Sequence, residues 1–195
     1  EMRKALENLG RKNILVNLFN FDFNKVENGK FSDKTITELV KACYEMGKVK
    51  TGALIVVEDE IVLTEYERTG IAVDGILTSQ LLINIFEKNT PLHDGAVIIR
   101  DNRIMAAGCL LPLTRDRSLS SELGTRHRAG IGMSEQADCV VVIVSEETGT
   151  VSYAYGGHIY RHLEEDGLRN ILRNFLVQDK AKGVGNVLQK WSPLK

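Results

Sequence analysis

The stretch Cys139-Val140-Val141-Val142-Ile143-Val144 is apolar at every position, and the fold turns on its reading. A short run that is apolar on both faces predicts a central strand of a covered sheet. The residues Glu146-Glu147-Thr148-Gly149 behind it form a turn sequence, and Val151–Tyr155 follows, so the two runs predict a hairpin. Moving toward the N-terminus, Ala96–Ile99 and Ile104–Ala107 predict a second hairpin across Arg100-Asp101-Asn102-Arg103. Further back, Ala53–Val57 is a continuous apolar run. Ile61–Leu63 is expected as its short partner across Glu58-Asp59-Glu60.

Helical spacing separates these strands. Ser32 or Asp33 can cap a helix over about 34–47, whose Ile36, Leu39, Val40 and Cys43 follow the i, i+3, i+4, i+7 template. Thr78 or Ser79 starts another through Leu81, Leu82, Ile85 and Phe86, with Pro91 beyond it. A third is expected over about 162–177, with Leu168, Ile171, Leu172, Phe175 and Leu176 inward. Residues 1–20 read as one helix, or two around Gly10. Residues 20–33 read as a loop, and 179–195 as a polar tail that frays. Hairpins mixed with helices predict a mixed α/β fold, a central mixed sheet flanked by helices. Regular β-α alternation is missing, and so are GxGxxG and GxxxxGK[ST], which disfavours the two common glycine-loop nucleotide folds.

The composition is that of an ordinary globular chain. There are 195 residues, 43% hydrophobic and 26% charged, with 25 Lys+Arg against 26 Asp+Glu, a net charge of −1. Length predicts one domain with extensions. Near neutrality with 6% aromatics leaves no global basic field for nucleic acid. No run approaches the ~20 apolar residues of a membrane span, and the start lacks a secretory apolar region. The first residue is Glu1, so the chain is expected to be part of something longer. Cys43, Cys109 and Cys139 are an odd number without a CxxC pair, and they read as core hydrophobes in a reducing setting.

Four clusters are able to carry chemistry. Leu92-His93-Asp94-Gly95-Ala96 precedes a predicted strand, where a His–Asp pair can hold a divalent cation or a hydroxyl. A polar turn with a local Asp94 hydrogen bond fits the same residues. Gly124-Thr125-Arg126-His127-Arg128 is a dense donor set suited to phosphate oxygens, with Thr125 at a possible helix start; a solvated basic turn is the alternative. If this segment is helical, Arg126 and Arg128 point to different partners, because i and i+2 lie about 200° apart. Ser145-Glu146-Glu147-Thr148-Gly149 follows the central strand, where ligands gather, although an acidic turn suffices. Gly108-Cys109-Leu110-Leu111-Pro112 offers either a slot for a flat base or a core strand end. His158 and His162 are four apart, but they read as a loop residue and a helix-start residue rather than a metal pair.

Asp94-Gly95-Ala96 and Arg126-His127-Arg128, about thirty residues apart with Ser145-Glu146-Glu147 behind them, resemble the DGA and RHR motifs of the diadenylate cyclase family, in its membrane-anchored CdaA (DacA) type. The resemblance spans roughly residues 30–175. It implies the DisA N-terminal-like fold, and a reaction in which two ATP give cyclic di-AMP and two pyrophosphates between two face-to-face protomers. By position, Asp94 would orient or deprotonate the 3′-hydroxyl. Thr125, Arg126, His127 and Arg128 would hold the triphosphate, with Arg126 and Arg128 taking up charge as pyrophosphate leaves. Gly95, Ala96, Leu111 and Ser145 would complete the ATP site, Leu111 against adenine. His93, Asp94 and Glu147 would ligand Mg²⁺ or Mn²⁺. One departure is Leu110, where some members carry Tyr, so that position offers no aromatic stack.

The same resemblance implies three segments. Residues 1–20 would be a juxtamembrane helix, 21–178 the catalytic domain and 179–195 the tail. The parent protein would sit at the cytoplasmic face of the membrane through an N-terminal segment outside this sequence, with a membrane regulator and a sugar-phosphate mutase as partners. A non-catalytic adenine-nucleotide sensor and an interaction domain with structural charge clusters are the competing readings.

Overall fold

Helix α1, Asp33–Lys48, begins where Ser32 leaves extended backbone and its hydroxyl accepts the Thr35 N–H at 3.1 Å. It buries Ile36, Leu39, Val40 and Cys43, the predicted stripe. The computed structural model describes residues 31–59, 61–116 and 123–176. The expectations for 1–20, most of 20–33, and 179–195 lie outside them.

Chain order continues with β1 (Ala53–Glu58), α2 (Thr64–Glu67), β2 (Ile71–Ile76), α3 (Ser79–Ile85), β3 (Ala96–Arg100) and β4 (Arg103–Cys109). Then come α4 (Thr125–Gln136), β5 (Cys139–Val144), β6 (Val151–Tyr155), β7 (His158–Tyr160) and α5 (Glu165–Leu176). Among the described residues the strands form one mixed sheet of order β2-β4-β3-β1-β5-β6-β7. β1 runs parallel to β3, and every other neighbouring pair is antiparallel.

β1 and β5 are buried along their whole length, as a two-faced apolar run requires. Alternate residues divide between two cores. Ile55, Val57, Val97, Val140 and Val142 face α1, α3 and α5, while Leu54, Val56, Ile98, Val141 and Ile143 face α4.

Register fixes where the loops emerge. Ala53 pairs with Val144, Ile55 with Val97, and Ala96 with Cys109. The starts of β1 and β3 and the ends of β4 and β5 therefore share one edge of the sheet. α4 packs on β5, and its C-terminus leads into the start of β5 at the far edge. Its N-terminus consequently returns to the shared edge.

Several expectations change. Ile61–Leu63 is not a strand partner of β1, whose neighbours are β3 and β5. The reason is Glu58, only 2% exposed, whose Oε1 accepts the Leu63 N–H at 2.7 Å and turns the chain into α2. Arg100 meets the same carboxylate at 2.6 Å through Nε and 3.2 Å through Nη2, and also pairs with Glu67. Replacing Arg100 by Met would leave Glu58 charged and buried without its cation. The expected loss is about 3 kcal/mol of unfolding free energy, read as a lowered urea midpoint.

α5 starts at Glu165, not at 162, because His162 sits in the left-handed region at φ 57°. Leu168 and Leu172 are buried, while Ile171, Phe175 and Leu176 are half-buried. His158 lies on edge strand β7 rather than in a loop. β2, α2, β7 and the length of α4 carry no clear sequence signal. β2 is an edge strand interrupted by a register shift between Ala72 and Gly75, and none of its residues is fully buried, so no apolar pattern marks it.

The cysteines are buried and unpaired, as expected of core hydrophobes. Burial pushes the Cys43 and Cys139 thiols up to about 12 and Cys109 to about 11, so all three are inert at neutral pH. Among the described residues no helix is long and apolar enough to cross a membrane.

Candidate active site

The shared sheet edge collects the turns that sequence reading singled out. The first leads into β3. His93 is half-buried, with Nδ1 2.6 Å from the Thr90 carbonyl oxygen. An Nδ1–H donated to that oxygen leaves Nε2 as a lone-pair donor. Asp94 is exposed beside it. Gly95 follows at φ +123°, packed on the backbone of Gly108 and Cys109 in β4. The Ala96 side chain is wholly buried in the α4-side core, so only its backbone can meet a ligand.

The second turn opens α4. Gly124 is its N-cap and provides no side-chain cap, which leaves the first N–H groups of a twelve-residue helix without that partner. Thr125 is exposed and adjacent. The segment is helical, so Arg126 and Arg128 diverge. Arg126 Nη1 is 2.8 Å from Glu146 Oε2, whereas Arg128 Nε donates to the Leu123 carbonyl at 3.2 Å.

His127 is 7% exposed, and among the described residues its Nε2 has no hydrogen-bond partner. Burial, assisted by the Arg161 charge, holds its pKa below the ordinary 6.5, against an upward pull from Glu147. The imidazole is accordingly neutral at pH 7.

α4 lies close to the sheet and to the segment that follows β4 through glycine rather than through an apolar stripe. A Cβ on Gly130 would stand 2.9 Å from Ile143 Cδ1, and one on Gly132 would stand 2.3 Å from the Pro112 carbonyl oxygen. This explains why periodicity did not reveal the helix.

The third turn leaves β5. Ser145 Oγ accepts the N–H groups of Glu147 and Thr148 at 3.3 Å each, and Gly149 N–H returns to the Ser145 carbonyl at 2.9 Å. That turn presents Glu146 and Glu147 on the surface.

Two open pockets adjoin here. One is lined by the start of α4 and residues Val144–Glu147. The other is lined by Gly52, Phe86, Lys88, Asn89 and His93. Arg126 and Glu146 line both. Gly52, Phe86, Lys88 and Asn89 were not singled out for the site by sequence reading, whereas Glu146 belongs to the acidic cluster behind β5 that was. Gly52 and Lys88 sit outside any motif, and nothing in their spacing marks them. Leu111 is half-buried against the α4-side core, while Leu110 is 69% exposed at the end of β4.

The expected metal set is not assembled within one chain. Among the described residues no three His, Cys, Asp or Glu groups converge, so His93, Asp94 and Glu147 do not form a closed cage. His93 lines the second pocket, Asp94 is exposed next to it in the chain, and such a pair suits a hard cation that completes its shell with water and substrate phosphates.

Comparison with known proteins identifies the family. The family model for the DisA bacterial checkpoint controller nucleotide-binding domain matches residues 40–159. Cyclic di-AMP synthase CdaA of Bacillus subtilis is 46% identical over 172 residues, 88% of this chain and 61% of that protein. A diadenylate cyclase of Listeria monocytogenes is 44% identical over 191 residues, 98% of this chain and 67% of its own length. The chain thus spans roughly two thirds of the length of these relatives. A double-mutant crystal structure of DacA from Staphylococcus aureus superposes with a TM-score of 0.71 at 44% identity, covering 73% of this chain and 95% of that one.

Proposed function

Since this chain belongs to the diadenylate cyclase family, of the CdaA type, we propose that it joins two ATP molecules into cyclic di-AMP with release of two pyrophosphates. The observation that carries the reading is the meeting of three distant turns around Arg126 at one sheet edge, beside the uncapped start of α4. A polyphosphate needs helix N–H donors and a guanidinium fork in that arrangement.

In the reaction the 3′-hydroxyl of one ATP attacks the α-phosphorus of the other, and then the reverse closes the ring. Asp94, exposed at the turn before β3, accepts the hydroxyl proton or aligns it. Arg126 and the first N–H groups of α4 take up the charge that grows on the departing pyrophosphate, while Arg128, which diverges from Arg126, would serve a different partner. Thr125 and Ser145 stand at the rim of the phosphate pocket, and neutral His127 backs it. Gly95 lets the chain turn closely past β4, and Leu111 offers an apolar surface for adenine. His93 Nε2 and Asp94 would hold Mg²⁺ or Mn²⁺, with Glu147 reaching it through the phosphates or water. The ion would neutralise phosphate charge and acidify the attacking hydroxyl.

Each chain would hold one ATP, so the working unit is two chains face to face. The described region then forms the catalytic part of a protein held at the cytoplasmic face of a membrane, where a membrane regulator and a sugar-phosphate mutase would act on it.

The test is incubation of the purified chain with ATP and either metal, with product separated by chromatography. Cyclic di-AMP is expected, at a rate that rises faster than linearly with protein while dimers are scarce. ATP binding with no product under either metal, at any protein concentration, would identify a nucleotide sensor instead.

A further inference from the structure

Arg126 and Glu146 face one another across the junction of the two pockets, and both belong to their walls. The pair is seated on Gly52. A Cβ there would lie 2.9 Å from Arg126 Nη1, 3.0 Å from its Cζ and 3.0 Å from Glu146 Cβ. Gly52 is not in the left-handed region, so its demand for glycine is purely one of space, and the groups that claim the space are these two side chains. Glu146 is itself held from behind, because the Ser145 hydroxyl fixes the turn that bears it.

An arginine side chain is long and loses much rotamer freedom when it is immobilised. Its fork also carries five N–H groups, so one carboxylate at Nη1 can anchor it without using its capacity for phosphate. The pair is too exposed, at 24% and 56%, to be a stability device.

We propose that Glu146 is a positioning residue: with Gly52 as its seat, it holds the Arg126 guanidinium between the two pockets, ready for the transferring phosphates. The proposal rests on the cyclase reading for its catalytic consequence, but the geometry it asserts belongs to the free chain. Glu146→Ala removes the anchor. Glu146→Gln keeps an acceptor oxygen and should restore it. Gly52→Ala tests the same point from the other side. The nearest atom to the new methyl is the far end of a flexible side chain, so the fold should yield by moving Arg126.

The experiment measures two things on the same proteins. One is the order parameter of the Arg126 Nε–H group by ¹⁵N relaxation, assigned with Arg126→Lys. The other is kcat and KM for ATP. In Glu146→Ala and Gly52→Ala the order parameter is expected to fall below about 0.6, the range of mobile groups. kcat should drop about tenfold with KM within about threefold, the signature of lost orientation rather than lost binding. Glu146→Gln should return kcat to within about twofold of the parent while thermal midpoints stay unchanged, as a surface pair of this kind predicts.

An order parameter equal in all four proteins overturns the proposal. So does a loosened Arg126 with undiminished kcat in an active enzyme. If the parent chain makes no cyclic di-AMP, the cyclase reading falls, and the relaxation comparison still decides whether Glu146 positions Arg126.

Discussion

Asp94→Asn is expected to reduce cyclic di-AMP formation by about a thousandfold while ATP affinity stays within about threefold. The asymmetry follows from the architecture. Asp94 stands exposed at the turn before β3, while the anion donors come from α4 and its first turn. Asparagine has nearly the same shape, so the turn keeps its course and Gly95 its packing. It lacks the basic oxygen that takes or aligns the hydroxyl proton, and it is a poorer partner for a divalent cation. Removing one negative charge near a triphosphate also relieves repulsion, so binding is not expected to weaken for electrostatic reasons. Calorimetry with ATP and chromatography of the product separate the two quantities. Turnover within tenfold of the parent would show that Asp94 is not the catalytic carboxylate.

Gly95→Ala should be the most destabilising conservative change in the site, by at least about 3 kcal/mol. Two independent costs add. At φ +123° an alanine is strained in any surroundings. Its methyl would also lie 2.6 Å from the Gly108 carbonyl carbon, 2.8 Å from the Cys109 oxygen and 2.9 Å from Gly108 Cα. These are backbone atoms of β4, fixed by the Ala96–Cys109 pairing, and they have no rotamer with which to retreat. The thermal midpoint should fall by about 6–12 °C, with activity lost even below the transition because Asp94 moves with the turn. Gly167→Ala is the matching control. It lies in the first turn of α5 with nothing within 4 Å of the added methyl, so it should stabilise by about 0.5–1 kcal/mol. A Gly95→Ala protein with the parent's midpoint would mean that the turn is more pliant than its packing implies.

Much of the sheet is readable without coordinates, and the reason is burial. Ala53–Val57, Ala96–Ile99 and Cys139–Val144 are covered on both sides, so they are apolar throughout and announce themselves. α1 and α3 carry the stripes and capping hydroxyls of helices that lie on a core. The failures share the opposite property. β2 and β7 are exposed edges with little to bury, and α4 meets the sheet at Gly130 and the segment after β4 at Gly132, where closeness replaces an apolar stripe. The fate of Ile61–Leu63 was decided by one buried carboxylate, Glu58, and its distant cation Arg100.

The same division runs through the site. Asp94-Gly95-Ala96, Arg126-His127-Arg128 and Ser145-Glu146-Glu147 are legible as motifs because their chemistry is local to a few consecutive residues, and they were enough to indicate a nucleotide enzyme. Which of those groups meet is a non-local matter. Strand register brings the starts of β1 and β3 to the same edge as the end of β5, and α4 returns its N-terminus there. That placement joins Arg126 to Glu146 over Gly52, residues separated in sequence by 20 and 74 positions, and it leaves His93, Asp94 and Glu147 without a common centre. Sequence by itself determined the buried strands, the capped helices and the kind of chemistry, because burial pattern and functional group are properties of short segments. Only tertiary structure decided partners and distances, because those depend on how segments far apart in the chain are stacked.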